Sequence, residues 1–169
     1  NERAQSNALT STETVETWVH GEHLLFEGRK MSKSAGNVVL LSDLIEKGLD
    51  PLALRFCLLE NRYRSQMDLN WDSLQAAHAT LKKWRTLMSD WGESREEKFD
   101  QELSDALTND LDTPRAMQRL RSIEKDSTIG ALDKRALFIF ADHVLALDLD
   151  REIEIYKNIK PGSGVGSSS

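Results

Sequence analysis

From residue 42 to about residue 149, helix-starting residues alternate with apolar residues at helical spacing, and this pattern constrains the fold most. Asp50 and Pro51 supply an N-cap and a first-turn proline, and Asn70 opens the longest amphipathic stretch. That stretch has apolar residues at Trp71, Leu74, Leu81, Trp84, Met88 and Trp91, with charged residues at other positions. We therefore predict a mainly α fold, in which a bundle of about five helices follows a small α/β part.

The boundaries of the helices follow from capping residues, glycine and proline. We expect Ser42 to cap a short helix that ends at Gly48. The next helix, from Pro51 to about Tyr63, is apolar on more than one face and should be buried. A further helix should open at Thr113. In full, the later helices are expected at 70–91, at 99–111, from 113 through at least 123, and at 131–149.

The two ends of the chain have a different character. Residues 2–12 are polar with alanines at helical spacing, which fits the end of a helix. Residues 15–26 group β-branched and aromatic residues around Gly21, which predicts two short strands. Residues 28–36 are bounded by glycine and rich in serine, which is typical of an exposed loop. Residues 161–169 are almost all glycine and serine, so we expect a disordered tail.

Composition excludes several classes of protein. The single cysteine, Cys57, rules out an intramolecular disulfide scaffold. No apolar run approaches the roughly 20 residues of a membrane-spanning helix, and no signal peptide is recognisable, so we expect a cytoplasmic protein without a membrane partner. Because the first residue is Asn1 rather than methionine, we expect a piece of a longer chain.

The net charge of −6 is unevenly distributed along the chain. Residues 90–112 hold nine acidic and two basic residues, whereas residues 28–42 hold three basic residues and no acid. The acidic segment should repel RNA, so we expect any RNA-binding surface to avoid it. The cationic segment, in contrast, suits a polyanion such as a nucleotide phosphate.

The segment from Gly28 to Asn37 reads Gly-Arg-Lys-Met-Ser-Lys-Ser-Ala-Gly-Asn. Lys30 and Lys33, with the hydroxyls of Ser32 and Ser34, could fold over a phosphate chain and neutralise its charge while a bond to phosphorus breaks. Charge alone favours an ordinary solvated basic loop. The five-residue string Lys-Met-Ser-Lys-Ser is more specific, because average residue usage would produce it in a chain of this length about once in ten thousand cases.

Lys30-Met31-Ser32-Lys33-Ser34 is the KMSKS signature of class I aminoacyl-tRNA synthetases, and its flanks resemble the cysteinyl-tRNA synthetase family. The start of the chain, Asn1 to Ser6, is similar to the end of that family's His-His-Glu-Asn-Glu motif and the residues after it. Other similar stretches are Trp18 to Gly21, Asp50-Pro51 with Leu54-Arg55, Tyr63 to Ser65, and Leu111 to Pro114. The likeness is specific to about residue 91 and looser beyond it.

This resemblance implies a division of the chain and a role for the loop. Residues 1–41 would end a catalytic nucleotide-binding domain that includes the KMSKS loop, and residues 42–91 would form a helical region like the family's stem-contact region. Residues 92–160 would add further helices of the bundle, followed by the tail 161–169. In the family, the second lysine of the signature contacts the ATP phosphates, which here is Lys33, assisted by Lys30, Met31, Ser32 and Ser34.

The resemblance also implies a zinc ligand. The last glutamate of the family's His-His-Glu-Asn-Glu motif binds the zinc that holds the substrate thiol, and that position is Glu2. The preceding histidine, the upstream cysteines and the HIGH motif are absent from this sequence. Since zinc takes four ligands, one carboxylate cannot hold it. We therefore expect this chain alone to bind no catalytic zinc and to activate no cysteine.

The function that follows is part of a cysteine–tRNA ligase, with L-cysteine, tRNA(Cys) and ATP as partners, magnesium accompanying ATP, and a monomeric parent enzyme. Two alternatives stay open. One is a mycothiol-pathway ligase, which carries the same signature and joins cysteine to an amino sugar. The other is a non-catalytic helical module that binds RNA or protein. The intact signature argues against this alternative, because such a module does not need it.

The other candidate residues have simpler interpretations. We expect a strand to point His20 and His23 to opposite faces, which disfavours a metal site. Cys57 should be a small buried hydrophobe, and His78 and His143 should lie at the surface or its rim. The tryptophans of the long helix favour core packing over base stacking. A basic strip that could face RNA, or simply solvent, comprises Arg55, Arg62, Arg64, Lys82, Lys83 and Arg85.

Overall fold

The computed structural model describes residue 15, residues 17–30 and residues 38–151 of the chain. Most of this part is helical, which confirms the mainly α prediction. The strands are β1 (Leu24–Phe26), β2 (Arg29–Lys30) and β3 (Met67–Leu69). The helices are α1 (Leu41–Glu46), α2 (Leu52–Leu59), α3 (Trp71–Asp90), α4 (Gln101–Thr108), α5 (Thr113–Lys125) and α6 (Ala131–Leu145).

The small sheet has the strand order β2-β1-β3. β1 pairs with β2 as an antiparallel hairpin, in which Leu25 lies opposite Lys30, and with β3 in parallel, in which Leu25 lies opposite Asp68. Our prediction of two strands within residues 15–26 is therefore half wrong. Residues 17–23 form no strand, and the partner of β1 is β2, inside the segment predicted to be a loop. The second partner, β3, is distant in sequence and was not predicted.

The starts of the helices show which capping predictions hold. Asn70 and Ser73 form a reciprocal capping box at α3, as expected for the longest helix. At α2 the N-cap position is Pro51 and not Asp50 as predicted, although the Asp50 carboxylate accepts a hydrogen bond of 2.9 Å from the Leu52 amide. The prediction for Ser42 is wrong, because Ser42 lies inside α1.

At α1 the capping geometry is made by residues on either side of Ser42. Leu40 occupies the N-cap position, and its amide donates to the Asp43 carboxylate at 2.8 Å. At α5, Asp112 is the N-cap residue, and Thr113 and Pro114 form the first turn. The hydrogen-bond acceptor at the start of α1 is therefore the Asp43 carboxylate, inside the first turn, and not the Ser42 hydroxyl.

Three helices end earlier than their apolar pattern predicts. α2 ends at Leu59, where the Asn61 side chain donates to the Cys57 carbonyl at 3.1 Å. α4 ends at Thr108 because Asp110 and Leu111 both have positive φ, 54° and 51°. α6 ends at Leu145 because Ala146 is left-handed, with φ of 49°. In the last two cases the positive φ angles end the helix although apolar residues continue beyond it in the sequence.

The core lies where α2, α3, α5 and α6 meet. Trp84 is fully buried at its centre, with its ring 5.3 Å from Phe56 and 5.4 Å from Phe138. The two tryptophans of α3 and Trp91, which caps its C-terminus, differ in burial: Trp84 packs in the core as predicted, whereas Trp71 and Trp91 are half-buried and pack against its rim. The Trp84 indole donates to Glu124 at 2.8 Å, so its one polar atom is satisfied. Other fully buried side chains are Leu44, Leu74, Leu81, Met88, Leu103, Met117, Leu120, Ile123 and Leu145.

No helix in the described part of the chain is long and apolar enough to cross a membrane. The predictions for residues 2–12 and 161–169 lie outside the described residues. The division into segments 1–41, 42–91, 92–160 and 161–169 stays a prediction.

Candidate functional site

A two-residue turn connects β1 to β2 and so delivers the chain to the signature string. Glu27 and Gly28 both have positive φ, 49° and 74°, which is the backbone of a type I′ hairpin turn. A Cβ atom at Gly28 would meet no other atom within 4 Å, so glycine is favoured there by the backbone angle rather than by space. β2 then consists of Arg29 and Lys30, so the first residue of the signature is the last residue of the hairpin.

The hairpin is fixed to the helical part of the chain on the side of β3. The Glu27 amide donates to the Leu69 carbonyl at 2.8 Å. The Gly28 amide donates to both carboxylate oxygens of Asp68, at 2.9 and 3.0 Å. Phe26 is buried, and its ring meets Trp71 edge-on at 5.5 Å. The position at which the signature begins is therefore held by β3 and by the first residue of α3.

A second connection lies further back along the same segment. The Glu22 amide donates to the Tyr63 carbonyl at 2.8 Å, and Gly21 lies close to the same oxygen. The residues before the hairpin therefore run beside the connection between α2 and β3.

The structure places only part of the predicted site. Lys30 is exposed at the end of β2. Met31, Ser32, Lys33 and Ser34 of the signature, and Glu2, lie outside the described residues. Their roles in ATP and zinc binding stay predictions.

The basic strip predicted from the sequence does not exist as a continuous surface. Arg85 is buried, with a relative exposure of 4%. Lys83 forms an ion pair with Glu124. Arg62 forms an ion pair with Asp112, and Arg64 pairs with Asp110 at 3.1 Å. Most of these cations are thus matched by carboxylates, which reduces the attraction that the surface would offer to a polyanion.

The same contacts change the interpretation of the acidic segment 90–112. Asp110 accepts hydrogen bonds from the Tyr63 hydroxyl at 2.7 Å and from Arg64, and these bonds lower the pKa of the Asp110 carboxyl. The same carboxylate raises the pKa of the Tyr63 hydroxyl. Asp100 accepts from Arg119 at 2.7 Å. Part of this segment therefore ties the helices together instead of presenting bare negative charge.

Arg85 lies at the centre of the most buried polar network in the described residues. Its guanidinium donates to the Asp50 carboxylate, to the Leu147 carbonyl at 2.8 Å and to the Asp148 carbonyl at 2.8 Å. Asp50 is 2% exposed. The Asp142 carboxylate accepts from the Leu147 and Leu149 amides on the same segment, and burial raises the pKa of the Asp142 carboxyl. Side chains thus satisfy the backbone of the segment that follows α6.

A cavity of about 620 Å³ lies next to this network, lined in part by Arg85, Arg95, Arg135 and Arg151. Arg135 donates to the carbonyls of Met88 and Ser94 and pairs with Asp150. Arg85 and Arg135 are engaged by carboxylates and carbonyls, so these two cations stabilise the segments around the cavity.

The histidines and the cysteine take structural positions. Nδ1 of His78 accepts from the Asp50 amide at 3.0 Å, and burial lowers the pKa of the imidazole. His143 is exposed, with Nδ1 3.3 Å from the Glu97 carboxylate. Cys57 is buried, as predicted, and burial raises the pKa of its thiol. His20 and His23 are exposed in a segment that is not a strand.

The sequence did not reveal Asp68, Asp110 or the buried Asp50–Arg85 pair. Asp68 is separated by 40 residues from Gly28, and Asp110 by 46 residues from Arg64. One signal was available: Glu27-Gly28 between short apolar and basic runs fits a two-residue hairpin turn. It would have located β2, although not the residue that holds the turn.

Comparison with known proteins gives a consistent result. Residues 1–79 match the family described as "tRNA synthetases class I (C) catalytic domain". A cysteine–tRNA ligase of Opitutus terrae is 40% identical over 126 residues, which cover 73% of this chain and 27% of that protein. The enzyme of the same name from Leptospira interrogans is 49% identical over 84 residues, covering 49% of this chain and 18% of its own length.

The likeness extends beyond the first half of the chain. A cysteine–tRNA ligase of Chlamydia abortus is 32% identical over 176 residues, which cover 96% of this chain and 37% of that protein. The chain therefore spans between 18% and 37% of the length of these three relatives.

Proposed function

The chain belongs to the cysteinyl-tRNA synthetase family, and on this premise we propose that it forms the signature-loop and helical part of a cysteine–tRNA ligase. The complete enzyme would activate L-cysteine with ATP and transfer it to tRNA(Cys). The observation that carries the proposal is the unbroken string Lys30 to Ser34, which begins where the anchored β1–β2 hairpin ends. We propose further that this chain alone does not complete the reaction.

The proposed chemistry follows from charge. When the cysteine carboxylate attacks the α-phosphorus of ATP, the bond to the departing pyrophosphate breaks and negative charge accumulates on its oxygens. Lys33 and Lys30 would stabilise that charge, and the hydroxyls of Ser32 and Ser34 would add hydrogen bonds. Magnesium would accompany the ATP phosphates, as it does for most nucleotide substrates. Lys30 supports the proposal because it is exposed at the end of an anchored strand.

We propose that the residues of this chain do not make a zinc site by themselves. Glu2 is one carboxylate, whereas zinc takes four ligands. Among the described residues there is no group of three or more histidine, cysteine, aspartate or glutamate side chains that could hold a metal ion. Glu2 is therefore proposed as one ligand of a zinc held mainly by other residues of the ligase. We assign no step of the reaction to zinc in this chain.

The proposed partners are tRNA(Cys), L-cysteine and ATP, and we propose a monomeric, cytoplasmic enzyme. The contacts of Arg62 and Arg64 with carboxylates make a broad electrostatic RNA surface on that side of the helices unfavourable. We therefore propose that contact with tRNA depends on shape and on a few groups rather than on a basic strip.

A substitution in the signature tests the proposal in a complete ligase that contains this sequence. We expect Lys33→Ala to reduce cysteine-dependent ATP–pyrophosphate exchange by about 100-fold or more, because it removes a charge that acts at the transition state. Lys125→Ala, at the last turn of α5, is the matched control and should leave the rate unchanged.

Two results would contradict the proposal. If Lys33→Ala kept full exchange activity, the role of Lys33 would be wrong. If the complete enzyme consumed ATP and cysteine with an amino sugar but not with tRNA(Cys), the alternative ligase of the mycothiol pathway would be correct instead.

A further inference from the structure

We propose that Asp68 is a positioning residue, which sets the direction in which the chain leaves β2 toward the signature string. This inference rests on the proposed function, because it assigns Asp68 an effect on the ATP step. In its proposed role Asp68 does not act by contact with a substrate. It acts through the turn at Glu27 and Gly28.

The turn depends on support from outside the hairpin. Glu27 has φ of 49°, a conformation that residues other than glycine adopt infrequently. β2 has only two residues, so the hairpin has few hydrogen bonds of its own. The donors of the turn are instead satisfied by β3: the Glu27 amide by the Leu69 carbonyl, and the Gly28 amide by the Asp68 carboxylate.

Asp68 is the one contact of this turn that a side-chain substitution can remove without opening the core. Along β3, Leu69 is buried and Met67 is half-buried, whereas Asp68 is exposed. Its two oxygens lie 2.9 and 3.0 Å from the Gly28 nitrogen, which gives the turn an ionised acceptor. The neighbouring anchor, Phe26 on Trp71, is part of the packed interior and cannot be removed so selectively.

The distance between the turn and Lys30 explains why one hydrogen bond at the turn can affect the position of the signature. Lys30 follows Gly28 by two residues of extended chain, which spans about 7 Å. A rotation of the turn by about 15° would then move Lys30 by about 2 Å, more than a reacting constellation tolerates. Misplacement of a catalytic group by about 1 Å can reduce a rate by about 100-fold.

The experiment compares three variants. Asp68→Ala removes the acceptor, and Asp68→Asn retains one oxygen that can accept from Gly28. Asp90→Ala removes an exposed aspartate at the far end of α3 and is the matched control. Two measurements are made on each: amide hydrogen exchange of Gly28 in this chain by NMR, and ATP–pyrophosphate exchange kinetics in a complete ligase that carries the same substitution.

We expect Asp68→Ala to accelerate exchange of the Gly28 amide about tenfold and to raise KM for ATP or lower kcat about tenfold. KM for cysteine should not change. Asp68→Asn should keep both the Gly28 exchange rate and the ATP kinetics close to those of the unsubstituted protein. A merely structural role would instead lower the thermal stability and affect both substrates alike.

The possible failures are distinguishable. Unchanged exchange at Gly28 in Asp68→Ala would refute the anchoring of the turn. Faster exchange at Gly28 with wild-type ATP kinetics would refute the positioning role alone, while the proposed function stood. Absence of cysteine-dependent ATP–pyrophosphate exchange in the unsubstituted complete enzyme would refute the proposed function and the positioning role with it.

Discussion

Replacement of Arg85 by methionine should be among the most damaging single substitutions in the helical part of the chain. Methionine has nearly the length of the arginine stem, so the change removes the guanidinium while leaving most of the packing. Arg85 and Asp50 are 4% and 2% exposed. Breaking a buried ion pair by removing one partner costs about 3–5 kcal/mol, because the remaining charge stays buried without that partner. Arg151, 3.9 Å from the Asp50 carboxylate, would compensate only part of that charge.

The loss of the two carbonyl contacts acts in the same direction. The carbonyls of Leu147 and Asp148 each accept from Arg85 at 2.8 Å, and a buried acceptor left without a donor costs about 1–3 kcal/mol. The cost of about 3–5 kcal/mol for removing one partner of a buried pair already includes hydrogen bonds of this kind, so the two costs are not added and we expect a total near 4 kcal/mol. A domain of ordinary stability has about 5–15 kcal/mol in all, so this substitution should remove a large share of it.

Urea unfolding followed by far-ultraviolet circular dichroism measures the effect. Lys98→Met is the matched control, because its ion pair with Asp133 is half-exposed on both sides and should contribute less than about 1 kcal/mol. The double variant Asp50→Asn with Arg85→Met should be more stable than Arg85→Met alone, since no unpaired charge remains. A cost for Arg85→Met as small as that of Lys98→Met would refute the reasoning.

Two further predictions concern the helix starts and pH. Asn70→Ala should lower the free energy of unfolding by about 1 kcal/mol, because it removes the cap of α3, whereas Ser42→Ala should change it by less than about 0.5 kcal/mol; equal losses in urea unfolding would contradict this. Burial lowers the pKa of His78 below the ordinary 6.5, so the unfolded chain binds the proton more readily, and stability should decrease as pH falls below about 6.5. His78→Gln, compared with the wild type between pH 7.5 and 5.5, should show a shallower decrease, and identical slopes would show that His78 does not titrate in this way.

The helices could be predicted because their signals are local. Asn70 caps α3 through a residue three positions away, and the apolar period of that helix needs only its own sequence. The ends of the helices were less predictable. Leu111 and Ala146 adopt positive φ although neither residue type favours it, so the surrounding structure imposes that conformation, whereas Asp110 is of a type that adopts positive φ more readily.

The pairing of β1 with β3 and the anchors of the site could not be predicted, because they depend on residues distant in sequence. β1 has three residues, and its parallel partner β3 follows only after α1 and α2. The signature string at Lys30 is recognisable from the sequence alone, but Asp68 has no local feature that marks it. The basic strip failed for the same reason, since Arg64 gives no sign in the sequence that Asp110 will face it.

The parallel pairing of β1 with β3 connects the strands that come before and after residues 31–66. Residues 31–66 connect β2 to β3, and these two strands lie on either side of β1 in the sheet. The parts of the chain before and after this segment are therefore connected in two ways. One connection is covalent, through residues 31–66, and the other is non-covalent, through the pairing of β1 with β3, the contact of Phe26 with Trp71 and the hydrogen bonds from Gly28 and Glu27 to β3. A protease that cut within residues 31–37 would sever only the first of these connections, and the strength of the second would decide whether the two pieces separate.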